Sequence, residues 1–412
     1  MGTTNNIKLY GFGVVGQGFQ SYLAKNEDAK RLHTIIVKDD TKNRKEIASI
    51  IETTNNKTIR DKDVNVILEL INSSDEAYGI VAENLEIGKK VISANKKLIA
   101  ENLEELITIE KENDTTFLYE GAVCGSIPII RVLNDLYSNE PIKEIKGIFN
   151  GSSNYILSKL FSEEISYQDA LLEAQRLGFA EADPTSDVGG YDALYKLIIV
   201  AAHAFGAIVK PYEVLNIGIE SITKSDIEFA KGHNLKIKLI AKATLINDEL
   251  NLSVFPTLID STNNLFNVEN EYNGVVIDSN NIGEQFYKGK GAGSLPTGAV
   301  VYSDLKAIDN DYAYLYKKLN SENIHFSNEN KLSFLLSLNE NTNIDELDLN
   351  WENLFSLEEN GKRFIYETTV EELIHNKFNF TKHNVSVLAI DDDKIKFLLK
   401  SNFRLEGVGL NY

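Results

Sequence analysis

The stretch IKLYGFGVVGQGFQSYLAK, residues 7–25, sets three glycines, Gly11, Gly13 and Gly16, in the spacing G-x-G-x-x-G between an apolar strand and a helix. Glycine at these places permits a tight turn, close approach of the main chain to a pyrophosphate and close packing of the helix. The helix N-terminus then offers unbonded N–H groups to phosphate oxygens. Such a turn belongs at the carboxyl edge of a parallel sheet. The rhythm that follows agrees. Strands LHTIIVKDD, VNVILELI, KKVISAN and TFLYE alternate with helices EAYGIVAENLEIG and ENLEELITIEKEN, which predicts an α/β fold built on a doubly wound, mostly parallel sheet of Rossmann type.

Strand two ends in Val37-Lys38-Asp39-Asp40, where a ribose-binding group is expected about 20 residues beyond the glycines. Lys38 suits a 2′-phosphate and Asp39 a 2′-hydroxyl, so NADP and NAD both stay open. SANKKLIA places Asn95 and Lys96 just past a strand, at the sheet edge where cofactor and substrate meet.

From about residue 145 the rhythm changes. A strand, IKGIFN, leads into helices around NYILSKLFSE, SYQDALLEAQRLG and YDALYKLIIVAAHAFG. Two long alternating runs, LKIKLIAKATLIND and ELNLSVFPTLI, then meet at a turn at Asn247-Asp248, and residues 286–305, FYKGKGAGSLPTGAVVYSDL, read as a glycine-rich loop entering a small-residue helix. Residues 319–412 are polar, with strands at KLSFLLSL, KRFIYET and VSVLAI and a helix at VEELIHN. The expected division is a nucleotide-binding domain over 1–147 and 290–318, an α+β domain over 148–289, and a small α+β appendage over 319–412.

The formal charge of -19 over 412 residues argues against a nucleic-acid partner, which needs clustered Lys and Arg. No apolar run reaches the roughly 18 to 20 residues of a membrane span, and the N-terminus lacks a basic stretch followed by an apolar one, so the expected location is the cytoplasm. The single cysteine, Cys124, excludes intramolecular disulfides and reads as a small packed residue.

Against this background GFAEADPTSDVGGYDALYKL, residues 178–197, is anomalous, because it gathers Glu181, Asp183, Asp187 and Asp192 before an apolar helix. A solvated acidic loop and a divalent-metal site are both readings of that charge. Asp192 and Lys196 are spaced i to i+4, which puts them on one helical face. A lysine held by a carboxylate away from water can give a proton to an alkoxide or take one from an alcohol. His203, seven residues on, reads as a satisfied core histidine.

Taken together, GFGVVG, SANKKLIA, EGAVCGSIPII, GIFNGSSNYIL, LGFAEADPTSDVGGYDALYKL and GKGAGSLPTGAVVYSDL resemble the homoserine dehydrogenase family in order and approximate spacing, over roughly residues 5–310. The resemblance implies NAD(P)-dependent interconversion of L-homoserine and L-aspartate 4-semialdehyde, serving threonine and methionine synthesis. It implies Lys196 as proton donor and acceptor, Asp192 as the group that orients it, and Glu181 as anchor of the substrate ammonium, with Asp187 and Lys96 also on the substrate side. It implies cofactor contacts at Gly11, Phe12, Gly13, Val14, Val15, Gly16, Lys38, Asn72, Lys96 and Gly291, and a sodium ion on the main-chain carbonyls of Glu120, Val123, Gly125 and Ile127. The middle domain would bind substrate and dimerise, giving a homodimer or homotetramer. The chain departs from the family at Gly125-Ser126, at Ser152-Ser153 and at Asn72-Ser73-Ser74, all small polar replacements. No kinase domain is expected before the fold, so the enzyme would be monofunctional.

Overall fold

The computed structural model describes residues 6–38, 50–53, 63–163, 165–319, 324–339, 342, 344–347, 349, 352–357 and 362–407. Asp39 lies outside the described residues. The chain divides into two units.

The first unit takes in Met1–Pro141, Ile198–Pro211 and Gly289–Glu322. Its N-terminal part runs β1 (Ile7–Tyr10), α1 (Val14–Lys25), β2 (Leu32–Val37), β3 (Ile51–Thr53), β4 (Val66–Glu69), α2 (Ser74–Glu86), β5 (Lys90–Ser93), α3 (Lys96–Glu112), β6 (Phe117–Leu118) and the short α4 (Ile129–Arg131). The six strands form one sheet in the order β3-β2-β1-β4-β5-β6, with every pairing parallel. Because crossover helices cover the sheet, its strands are apolar throughout: Ile7, Leu9, Val66, Leu68, Val91 and Ile92 are all fully buried. The order reverses between β1 and β4, and a doubly wound sheet binds its ligand where the order reverses. Gly11 follows β1 at that point.

The second unit takes in Ile142–Leu197, Tyr212–Lys288 and Asn323–Tyr412. Along the chain come β7 (Ile142–Ile148), α5 (Gly151–Ser162), α6 (Tyr167–Arg176), α7 (Thr185–Val188), α8 (Tyr191–Phe205), β8 (Leu215–Asn216), α9 (Lys224–Gly232), β9 (Lys236–Ile246), β10 (Glu249–Ile259), β11 (Tyr272–Ser279) and β12 (Gly283–Lys290), of which the α8 residues from Ile198 on and the β12 residues from Gly289 on belong to the first unit. Helix α10 (Ser294–Asp309) then belongs to the first unit. It crosses α1 so closely that a Cβ on Gly18 would stand 1.8 Å from the Ser294 carbonyl oxygen, and one on Gly298 2.4 Å from the Gly18 carbonyl carbon. Only glycine fits at that crossing. The chain closes with β13 (His325–Phe326), β14 (Lys331–Ser337), β15 (Glu352–Ser356), β16 (Arg363–Thr369), α11 (Val370–Lys382), β17 (Ser386–Ile390) and α12 (Asp393–Gly407).

These strands build an 11-stranded sheet ordered β12-β11-β7-β9-β10-β17-β14-β16-β15, with β13 and β8 pairing β10. The hairpin β9–β10 pairs Ile246 with Glu249 across Asn247 and Asp248, at φ 51° and 66°. Two successive left-handed residues are what a two-residue hairpin of matching twist requires. The C-terminal segment does not stand apart from this sheet, since β17 pairs β10 in parallel at Thr257–Ala389 and Leu258–Ile390. One buried cluster joins Leu215 and Phe255 to Phe334, Leu373 and Phe380.

The glycine-rich loop expected to open residues 286–305 is shorter than its glycines imply. Phe286–Lys290 is the last part of β12, which leaves residues 291–293 between strand and helix. Gly289 sits in the strand because a Cβ there would come within 2.7 Å of Ser126 Oγ, so its glycine serves packing instead of a turn.

Candidate active site

The second unit holds the proton-handling candidates. Helix α8 begins after Gly189-Gly190, with Gly190 at φ +80°, and its apolar residues Ala193, Leu194 and Leu197 are buried. Its first turn therefore carries Asp192 and Lys196 inward with it. Asp192 is 4% exposed and Lys196 8%. Lys196 Nζ donates to Asp192 Oδ2 at 2.6 Å and to the Phe149 carbonyl at 2.8 Å. A charge pair so enclosed is held by hydrogen bonds on its remaining atoms, as burial demands.

Asn150 supplies those bonds. Its Nδ2 donates to Asp192 Oδ2 at 2.9 Å and to Asp187 Oδ1 at 2.8 Å, while its Oδ1 accepts from Ser153 N at 2.7 Å and caps α5. One N-cap residue thus draws two of the four acids together, and the structure brings Asp187, Asp192 and Lys196 into one cluster. Glu181 stays exposed on the loop after α6, where its main-chain carbonyl accepts from Gln175 at 3.0 Å. Asp183 Oδ1 accepts from Thr185 N at 3.1 Å and Thr185 Oγ1 at 2.6 Å, which is a turn cap. Asn150 escaped the sequence reading, although an Asn between a strand and the helix GSSNYIL is itself an N-cap signal.

The first unit holds the cofactor candidates Gly11, Phe12, Gly13, Val14, Val15 and Gly16 on the turn from β1 to α1. A Cβ on Gly11, at φ +89°, would lie 2.5 Å from the Leu70 carbonyl oxygen, and one on Gly16 2.7 Å from the Gly11 carbonyl oxygen. A Cβ on Gly13 would meet nothing within 4 Å. Gly13 is also the N-cap of α1 and, having no side chain, makes no capping bond to its amides. That cradle fits a dinucleotide pyrophosphate.

Around it, Lys38 Nζ pairs with Glu76 Oε1 at 2.5 Å, both side chains half exposed or more. Asn72 is exposed and Lys96 half-buried, each beside a strand end fixed by a residue the sequence reading missed. Glu69, fully buried, accepts from Ser93 Oγ at 2.6 Å and Ile71 N at 2.7 Å. Burial pushes its carboxyl up to about 7 against those two bonds. Asn95 completes the set by donating to the Ile71 carbonyl at 3.2 Å and capping α3 at Leu98 N. The only sequence sign of Glu69 is one acid inside the apolar strand VILE.

The loop with Glu120, Val123, Gly125 and Ile127 is a second built feature of this unit. Burial, then Asp304, lifts the Glu120 carboxyl to about 8, and its oxygens accept from Ile130 N at 2.9 Å and Arg131 N at 2.8 Å. Cys124 and Gly125 are left-handed in succession, at φ 54° and 56°, and a Cβ on Gly125 would stand 2.5 Å from the Gly291 carbonyl oxygen. Ser126 N donates to the Lys290 carbonyl at 2.9 Å, so Gly291 and this loop lie together. Main-chain carbonyls suit a hard cation. Among the described residues no group of three or more His, Cys, Asp and Glu forms a metal cluster. His203 Nε2 lies 2.8 Å from Tyr119 Oη, and burial depresses its ring to about 3.

Comparison with known proteins bears on both units. The family profile described as homoserine dehydrogenase matches residues 128–305, and that described as the homoserine dehydrogenase NAD-binding domain matches residues 11–120. The homoserine dehydrogenase of Bacillus subtilis is 36% identical over 313 residues, covering 73% of this chain and 72% of that protein. The crystal structure of a homoserine dehydrogenase from Thiobacillus denitrificans superposes with a TM-score of 0.80 at 26% identity, over 94% of this chain and 98% of the other. A hyperthermophilic archaeal homoserine dehydrogenase in complex with NADPH gives 0.65 at 27% identity, over 76% and 100%. With both profiles matched and that degree of identity, the chain belongs to the homoserine dehydrogenase family, NAD-binding-domain oxidoreductases.

Proposed function

We propose that this chain interconverts L-homoserine and L-aspartate 4-semialdehyde with Lys196 as proton donor and acceptor. The observation that carries the reading is the buried Asp192–Lys196 pair, clamped by Asn150 and the Phe149 carbonyl. A bound NAD(P) supplies the hydride acceptor or donor. In reduction the aldehyde carbon gains a hydride and its oxygen gains the Lys196 proton; in oxidation the neutral amine takes the alcohol proton back. Asp192 keeps Nζ aimed and balances its charge, Asp187 shares the same clamp, and Glu181 and Lys96 hold the substrate.

Gly11 to Gly16, Asn72, Lys96 and Gly291 would hold the dinucleotide, and Lys38 would serve a ribose 2′-phosphate. An exposed pair such as Lys38–Glu76 contributes under about 1 kcal/mol, so a 2′-phosphate can displace Glu76; the archaeal relative bound to NADPH supports use of NADP. Sodium on the carbonyls of Glu120, Val123, Gly125 and Ile127 would brace that loop. Family membership supports a cytoplasmic homodimer or homotetramer. No helix among the described residues is long and apolar enough to cross a membrane.

The test is a spectrophotometric assay of the purified chain with L-homoserine and NAD or NADP in turn. Dinucleotide reduction that depends on L-homoserine is expected; none with either dinucleotide would refute the reading.

A further inference from the structure

Helix α11 is tied by hydrogen bonds through Asn216 to the turn in front of the candidate proton donor. Lys377 Nζ donates to Asn216 Oδ1 at 3.2 Å, and Asn216 Nδ2 donates to the Gly189 carbonyl at 2.6 Å. Asn216 is 4% exposed. Its amide has one consistent orientation here, because turning it over would set N–H groups against an ammonium and oxygen against oxygen.

The turn it touches has little freedom. Gly189 and Gly190 lie between Asp187 and Asp192, and Ile219 N donates to the Val188 carbonyl at 2.8 Å. A Cβ on Gly218 would come within 2.2 Å of the Val188 carbonyl oxygen and 2.6 Å of Gly189 Cα, so the chain after β8 lies main chain against main chain on the turn. Lys377 Nζ also sits 5.8 Å from the ring centroid of Tyr191, the first residue of α8. Beside Asn216, Leu215 is buried among Phe334, Leu373 and Phe380. Strand β8 is therefore held by the C-terminal segment on one side and holds the turn on the other.

We infer that Asn216 and Lys377 are positioning residues that fix the Val188–Tyr191 turn, and with it Asp187 and Asp192, in the arrangement that serves Lys196. The segment after residue 323 thereby becomes a support of the proton-handling site. This rests on the reading of Lys196 and Asp192 given above.

The test uses the full chain as wild type, Lys377→Met, Lys377→Arg, Asn216→Ala and the double variant Lys377→Met/Asn216→Ala, with Lys196→Met as control. Lys377→Met is expected to lower kcat for L-homoserine about tenfold while KM for the dinucleotide and the melting temperature stay near wild type. Lys377→Arg, which keeps the donor, should restore most of that loss. Asn216→Ala should show the same loss, and the double variant no more than either, since both act along one chain of contacts. Wild-type kcat in Lys377→Met beside an inactive Lys196→Met would overturn the inference and leave the underlying reading standing. A kcat loss that follows a lowered melting temperature and is not restored by arginine would also overturn it. Normal turnover in Lys196→Met would remove the reading itself.

Discussion

The cluster around Lys196 and the turn from Gly11 to Gly16 prepare a site by opposite means. The first is crowded with side chains: a lysine and two aspartates are drawn onto one asparagine amide and one carbonyl, in a place nearly closed to water. The second is made by missing side chains, with Gly11 and Gly16 packed against main chain and Gly13 in open space at the N-cap of α1. Proton transfer needs a group held in one position and out of competition with water. A pyrophosphate needs room and donors. The two regions should therefore fail differently, the first in turnover and the second in dinucleotide affinity.

Asp192→Asn should give the larger effect. It leaves the shape of the cluster but removes the charge that holds Lys196, and kcat should fall about 10²-fold with KM for the dinucleotide unchanged. Equal changes in kcat and dinucleotide KM would erase the distinction between the regions. Gly13→Ala should act the other way round. Gly13 has φ -82° and ψ -154°, a conformation open to alanine, and the methyl meets no protein atom, so melting temperature should hold while dinucleotide Kd rises about tenfold, roughly 1.4 kcal/mol. Unchanged affinity by titration would show that the phosphates pass elsewhere.

The smallest effect separates two ionisable groups on one helix. His203, two turns after Lys196, is a neutral core ring whose pKa burial lowers to about 3. Below the unfolded value of about 6.5 the unfolded chain takes up a proton that the folded chain refuses, so stability falls as pH drops from there toward 3. His203→Gln, which can keep a bond to Tyr119, should lose less melting temperature between pH 7 and pH 5 than wild type, with kcat at pH 7 little changed. A steeper loss in the variant would contradict the sign.

What could be read from the chain follows the same division between local and distant partners. The parallel sheet of the first unit and the β9–β10 hairpin announce themselves, because strand periodicity, turn residues and glycine spacing are all local. So does Asp192–Lys196, since four residues on a helix fix the neighbours. Asn150 meets Asp192 across 42 residues and Glu69 meets Ser93 across 24; each reads as one polar residue at the edge of, or inside, an apolar run. The joining of β17 to β10 is likewise a pairing of distant strands with no local mark. Phe286–Lys290 misled for a related reason, because Gly289 answers to Ser126, which the chain places far away.

The role of Lys196 is tested most directly by Lys196→Met, with kcat for L-homoserine and Kd for the dinucleotide measured on the same preparation. Methionine keeps most of the side-chain volume and leaves Asp192 its bond to Asn150. A proton-transferring Lys196 predicts a loss of kcat of about 10³-fold or more with dinucleotide Kd within about twofold of wild type, the bound dinucleotide also certifying a folded protein. Turnover near that of the wild type would contradict it.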